Sequence, residues 1–134
     1  MKYTIDYSEK FKKQLKQLRK KYPNCGNKIK ECIEQLEDGI LLGEPYDELG
    51  LPANEDVYKV RIANPDARKG VRGGFRIIYY VVRDDKYIDL LVIYSKLEVD
   101  NVTQAEILEI LKEIREDEDL WLNSRVLFLC SGWD

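Results

Sequence analysis

The chain has 134 residues, 44% apolar and 35% charged, with a formal net charge of −3. That length fits one domain with a core of its own, and no apolar run approaches the ~20 residues of a membrane helix. Three cysteines with no CxxC spacing, no histidine and no apolar signal-peptide core at Met1–Asp6 argue against a zinc set or a secreted disulfide framework. They make reduced thiols and a cytoplasmic setting the expectation.

Lys2 to Tyr7 alternates as a short strand with Tyr3, Ile5 and Tyr7 on one face. Ser8 is placed to cap a helix running to about Tyr22, where Pro23 stops it. Phe11, Leu15 and Leu18 form its apolar stripe, and seven cations fill the twelve residues Lys10–Lys21. A second helix is predicted over Asn27–Asp38, with Ile29, Cys32, Ile33 and Leu36 inward and Gly39 at its C-terminal cap. The pair reads as an αα-hairpin. Cys25 and Cys32 fit helix packing better than a redox pair.

Residues 40–56 contain Gly43, Pro45, Gly50 and Pro52 and are predicted as loop. Strands follow at about 57–63, 74–83 and 87–96. Asn64–Gly73 is the first connection, and Asp84-Asp85-Lys86 a hairpin turn. Thr103-Gln104-Ala105-Glu106 is a capping box for a helix with Ile107, Ile110, Leu111 and Ile114 inward. The order β-α-α-β-β-β-α gives an α+β domain: a small antiparallel sheet packed with an N-terminal helical hairpin and a C-terminal helix. The domain is taken as residues 1–115, and 116–134 as an acidic and apolar extension.

Charge is strongly segregated. Residues 8–30 carry nine cations and one anion, and 31–56 carry nine anions and no cation. Residues 57–76 return to six cations against one anion, and 98–119 hold nine anions against two cations. A local basic patch governs an anionic partner more than the net charge does. Alternation puts Lys59 and Arg61 on one face, and Tyr94 and Lys96 on one face. Fixed cations on strands suit a multiply anionic ligand, for which RNA is the leading candidate.

Gly73-Gly74-Phe75-Arg76-Ile77-Ile78-Tyr79-Tyr80, Ile93-Tyr94-Ser95-Lys96-Leu97-Glu98 and the leading Val57-Tyr58-Lys59-Val60-Arg61 resemble the signatures of the RelE/ParE superfamily of toxins from type II toxin–antitoxin modules. The resemblance covers residues 1 to about 114 and is nearest to the HigB-like and RelE-like ribosome-dependent mRNA endonucleases. It implies a ribosome-bound mRNA interferase without cofactor or metal, neutralised in a complex with a cognate antitoxin. Two features depart from the pattern: the chain has no histidine, and residues 115–134 extend beyond many members.

Such cleavage requires alignment of a 2′-OH on its phosphate, charge stabilisation and two proton transfers. Arg76 is the expected phosphate clamp, because a guanidinium presents forked donors. Lys59 and Arg61 would follow the RNA backbone. Lys96 or Lys59 would serve as base or acid, with Tyr94 as another proton carrier and Glu98 as an orienting carboxylate. Lys12, Lys13, Lys16, Arg19 and Lys20, with Arg68, Lys69 and Arg72 of the loop, are expected to contact ribosomal RNA through phosphates. Two further readings are a ParE-like inhibitor of DNA gyrase and a catalytically degenerate module that only binds its antitoxin.

Overall fold

Ser8 starts the helical layer. Its extended backbone lets the side-chain oxygen accept from the Phe11 amide at 3.0 Å, which opens α1 at Glu9–Lys21. Glu9 in the first turn and Arg19, Lys20 and Lys21 in the last complement the helix dipole. α2 spans Gly26–Glu37, and Gly39 takes a left-handed φ of 86° just beyond it. The structure, a computed structural model, describes residues 2–47, 49–67, 72–99 and 101–114. It divides into two units, residues 1–101 and a second that begins at Val102.

The first unit holds one five-stranded sheet in the order β1-β5-β4-β3-β2. Its strands are β1 Thr4–Tyr7, β2 Glu44–Pro45, β3 Glu55–Ile62, β4 Phe75–Val82 and β5 Tyr87–Ser95. The α+β fold and the β3-β4-β5 meander match expectation. The sheet is mixed rather than wholly antiparallel, because β1 lies parallel to β5, from Thr4 opposite Tyr87 to Tyr7 opposite Leu90. Alternation along β1 does not encode its neighbour's direction. That depends on where α1 and α2 return the chain. The stretch predicted as loop also contains β2, paired antiparallel with β3 at Lys59 and Tyr58.

One irregularity sets the faces of the sheet. Ile78 pairs with Val92 but Tyr79 pairs with Leu90, so Leu91 is an extra residue in β5. Leu90 and Ile93 therefore reach the same core although they are separated by an odd number of positions. Tyr94 consequently stands across from Arg76, on the other face. The helix-side core joins Phe11, Leu18, Ile29, Cys32 and Leu36 to Val60, Ile62, Phe75, Ile77, Tyr79, Val81, Ile88, Leu90 and Ile93. Tyr79 stacks on Tyr58 with centroids 5.4 Å apart and donates its hydroxyl to the Leu42 carbonyl at 2.6 Å.

β1 covers only part of the outer edge of β5, and α1 supplies the rest. The Ser8 amide donates to the Leu90 carbonyl at 3.0 Å, and its hydroxyl to the Leu91 carbonyl at 2.7 Å. Gln14 Oε1 accepts from the Ile93 amide at 3.0 Å. At the α1–α2 turn, Asp66 accepts from the Asn24 amide and side chain at 3.0 and 2.7 Å, which ties that turn to the β3–β4 connection.

In the second unit residues 104–114 are helical (α3), and Thr103 Oγ1 accepts from the Glu106 amide at 3.2 Å, as the capping box requires. Ile107, Ile110 and Leu111 are buried. The predicted boundary near residue 115 and the extension 116–134 lie outside the described residues.

Two glycines give opposite expectations for stability. A Cβ on Gly74 would sit 2.0 Å from the Ile62 carbonyl oxygen, a backbone atom of the paired strand, whereas one on Gly26 meets nothing within 4 Å. Gly74→Ala is expected to lower unfolding free energy by about 3 kcal/mol. Gly26→Ala should raise it by about 0.5 kcal/mol. Urea denaturation of both variants measures the contrast.

Candidate functional site

The sheet face turned away from α1 and α2 collects the cations. Arg61 pairs with Arg76, and Arg76 with Tyr94, so the three form one row across β3, β4 and β5. Lys59 stands two residues along β3 on the same face, opposite Ile78. Lys96 follows Tyr94 just past the end of β5. Five of the six predicted catalytic residues are thereby drawn toward one region. Arg76 and Tyr94 are only 5% and 4% exposed, unusual burial for such polar groups.

Like charges dominate the electrostatics. Burial is the largest influence on Lys59 and holds its ammonium below the ordinary lysine value; Lys96, Arg61 and Arg76 push the same way, and Glu44 opposes them. Burial and then Arg61 lower the Arg76 guanidinium, with Tyr94 opposing, yet an arginine stays charged across the physiological range. Burial raises the Tyr94 phenol, while Arg76 and Arg61 draw it back down. The face thus presents permanent positive charge together with one lysine more readily deprotonated than most.

Two of the cations contact neutral groups. Arg76 Nη1 donates to the Phe75 carbonyl at 3.2 Å. Lys59 Nζ donates to Asn101 Oδ1 at 3.3 Å and lies 5.8 Å from the centre of the Tyr46 ring. Tyr46 and Asn101 were not apparent from the sequence. Tyr46 follows Pro45 in a segment without periodicity, and Asn101 meets Lys59 across 42 positions. The one local sign was Gly43, with φ 93°: a Cβ there would lie 2.3 Å from the Lys59 carbonyl oxygen. Only glycine lets β2 approach β3 closely enough to present Tyr46.

The remaining predicted residues lie elsewhere. Glu98 forms an ion pair with Lys21, the last residue of α1. Lys12, Lys16, Arg19 and Lys20 line one shallow groove of about 520 Å³ beside Leu15, with Lys13 exposed on the same helix. Because α1 packs on the helix side of the sheet, this basic strip and the Arg76 row occupy opposite sides. Lys12 is also paired with Glu9 at 3.2 Å. Arg72 is exposed, and Arg68 and Lys69 lie outside the described residues. Among the described residues no group of three or more histidine, cysteine, aspartate or glutamate side chains is placed to hold a metal ion.

Comparison with known proteins adds three findings. Residues 5–115 match the family model described as the ParE toxin of the type II toxin–antitoxin system parDE. A Methanocaldococcus jannaschii protein named as a toxin, RelE1, is 33% identical over 88 residues, covering 66% of this chain and 83% of that protein. A mutant of the E. coli toxin RelE in the free state superposes with a TM-score of 0.45 at 18% identity, covering 75% of this chain and 90% of the other.

The crowding of cations has a sign that can be measured. Since the folded state disfavours the Lys59 ammonium, its cost to folding is full below the folded-state pKa and fades as pH rises toward the ordinary value of 10.5. Arg61→Gln removes one repulsive neighbour. The Lys59 side chain should then titrate at higher pH by NMR, and stability at neutral pH should rise by about 0.5 kcal/mol at low salt. The gain should shrink in 1 M salt.

Proposed function

Because the chain belongs to the ParE toxin family of type II toxin–antitoxin systems, within the RelE/ParE superfamily, we propose that it is a ribosome-dependent mRNA endonuclease that cleaves without a metal. Membership implies an antitoxin as partner. The single observation that carries the finer reading is the row of Arg61, Arg76 and Tyr94 with Lys59 beside it on one sheet face. A toxin acting only by binding a protein target has no need to concentrate cations around a buried arginine.

In this reading Arg76 grips the non-bridging oxygens of the scissile phosphate, and Arg61 and Lys96 neutralise the adjoining backbone. The neutral amine of Lys59 accepts the 2′-OH proton as the 2′-oxygen bonds to phosphorus. The bond from phosphorus to the 5′-oxygen breaks, leaving a 2′,3′-cyclic phosphate. Tyr94 or the ammonium of Lys96 returns a proton to the departing 5′-oxygen. Burial and cationic neighbours favour Lys59 as the base, since both drive it toward its neutral form. Glu98, paired with Lys21, serves to fix the turn that carries Lys96. The lysines of α1 would meet ribosomal RNA, through phosphate charge rather than base edges. The action on translating ribosomes sets the site of action in the cytoplasm.

The ParE name of the matched family favours a second reading, inhibition of DNA gyrase. Expression in cells separates the two. The interferase reading expects growth arrest with mRNAs cut on ribosomes, and a loss of about 10²–10³ in rate for Arg76→Ala with an unchanged circular dichroism spectrum. Intact mRNA with gyrase-dependent DNA breaks would establish the second reading instead. Harmless expression with retained antitoxin binding would mark a degenerate module.

A further inference from the structure

Two buried phenols on the cation face lack what every buried hydroxyl needs. Tyr46 Oη and Tyr94 Oη are both shielded from solvent and have no hydrogen-bond partner among the described residues. Leaving one such group unsatisfied costs roughly 1–3 kcal/mol, so two on one face call for an explanation. The charged groups around them are the cations Lys59, Arg61, Arg76 and Lys96, which only donate, and Glu44, the carboxylate opposite Lys59 in β2, which hydrogen-bonds neither phenol. Among the described residues neither hydroxyl has an acceptor, and the cations outnumber the one carboxylate beside them, so an incoming anion is the acceptor that suits both.

Tyr46 is held for such a role. Its amide donates to the Val57 carbonyl at 2.8 Å, which extends the pairing of β2 along β3 and puts the ring on the face of Val57 and Lys59. The Lys59 ammonium lies 5.8 Å from the ring centre. The Tyr46 phenol feels the Tyr94 phenol electrostatically, and burial and that neighbour push it up to about 12, so it stays protonated and able to donate. Glycine at position 43 is the backbone condition for this arrangement.

We propose that Tyr46 is a substrate-recognition residue of this site: its hydroxyl, together with that of Tyr94, donates to the oxygens of a bound phosphodiester, while its ring seats the Lys59 ammonium. The inference rests on the reading of this face as an RNA-backbone site, and it adds a residue from the opposite edge of the sheet. Two neutral donors combined with fixed cations suit a phosphodiester, whose oxygens offer several lone pairs to donors converging from different strands.

The probe is a short oligoribonucleotide carrying 2′-O-methyl at every ribose, titrated into the full chain and read without turnover or ribosomes. Tyr46→Phe keeps the ring and removes the hydroxyl; it should bind about 10-fold more weakly with an unchanged melting temperature. Tyr46→Leu removes the ring as well, and the Lys59 side chain should then titrate at higher pH by NMR as water reaches it. Wild-type affinity in Tyr46→Phe overturns the inference, even if the wild type cleaves mRNA. Weakened binding by Tyr46→Phe sustains it, even if the wild type proves unable to cleave, which would sink the interferase reading alone. Failure of the wild type to bind the probe overturns it as well.

Discussion

The extra residue in β5 decides which side chains can meet. A strand repeats every two residues, so a regular β5 could not send both Leu90 and Ile93 into the helix-side core. Leu91 resets the phase, and Tyr94 emerges beside Arg76 as a result. The core and the cation row are thus two outcomes of one backbone irregularity. A deletion at Leu91 would exchange faces for everything beyond it, burying Tyr94 among the helices or pulling Ile93 away from them.

Concentrating positive charge around the buried Arg76 opposes folding, and the surrounding groups limit that opposition without cancelling it. Asn101 and the Phe75 carbonyl supply neutral acceptors, and the Tyr46 ring supplies its π face. Glu44, opposite Lys59 in β2, is the acidic group that acts on that lysine. Acids elsewhere are engaged away from this row: Glu98 with Lys21, and Asp56 with Arg83. Residual positive potential is the property an anion-binding face must retain, and a site neutralised by its own carboxylates would lose it.

Much of this was legible in the sequence because it is local. Ser8 before α1, Thr103 with Glu106 before α3, Gly39 after α2 and the turn at Asp84–Lys86 each act over a few residues, and each sits where its chemistry requires. Arg76 could be located because glycines precede it and a dense apolar run follows. Three features were hidden for physical reasons. The bulge lies within the unbroken apolar run Leu90–Ile93, where no polar residue marks the phase. β2 is two residues long and contains a proline, so neither alternation nor propensity reveals it. The partners of Glu98 and Lys59 lie 77 and 42 positions away, and side-chain pairing at such separations leaves no mark on local pattern.

The way α1 closes the sheet has a bearing on solubility. Beyond the pairing of Tyr7 with Leu90, the rim of β5 is satisfied not by a neighbouring strand but by Ser8 and the side-chain oxygen of Gln14. A helix lifted from that rim would uncover a hydrophobic strand with unmet backbone groups, a template on which another chain's strand could add. The first helix therefore doubles as a guard against self-association, and two small polar side chains are the latch that holds it shut.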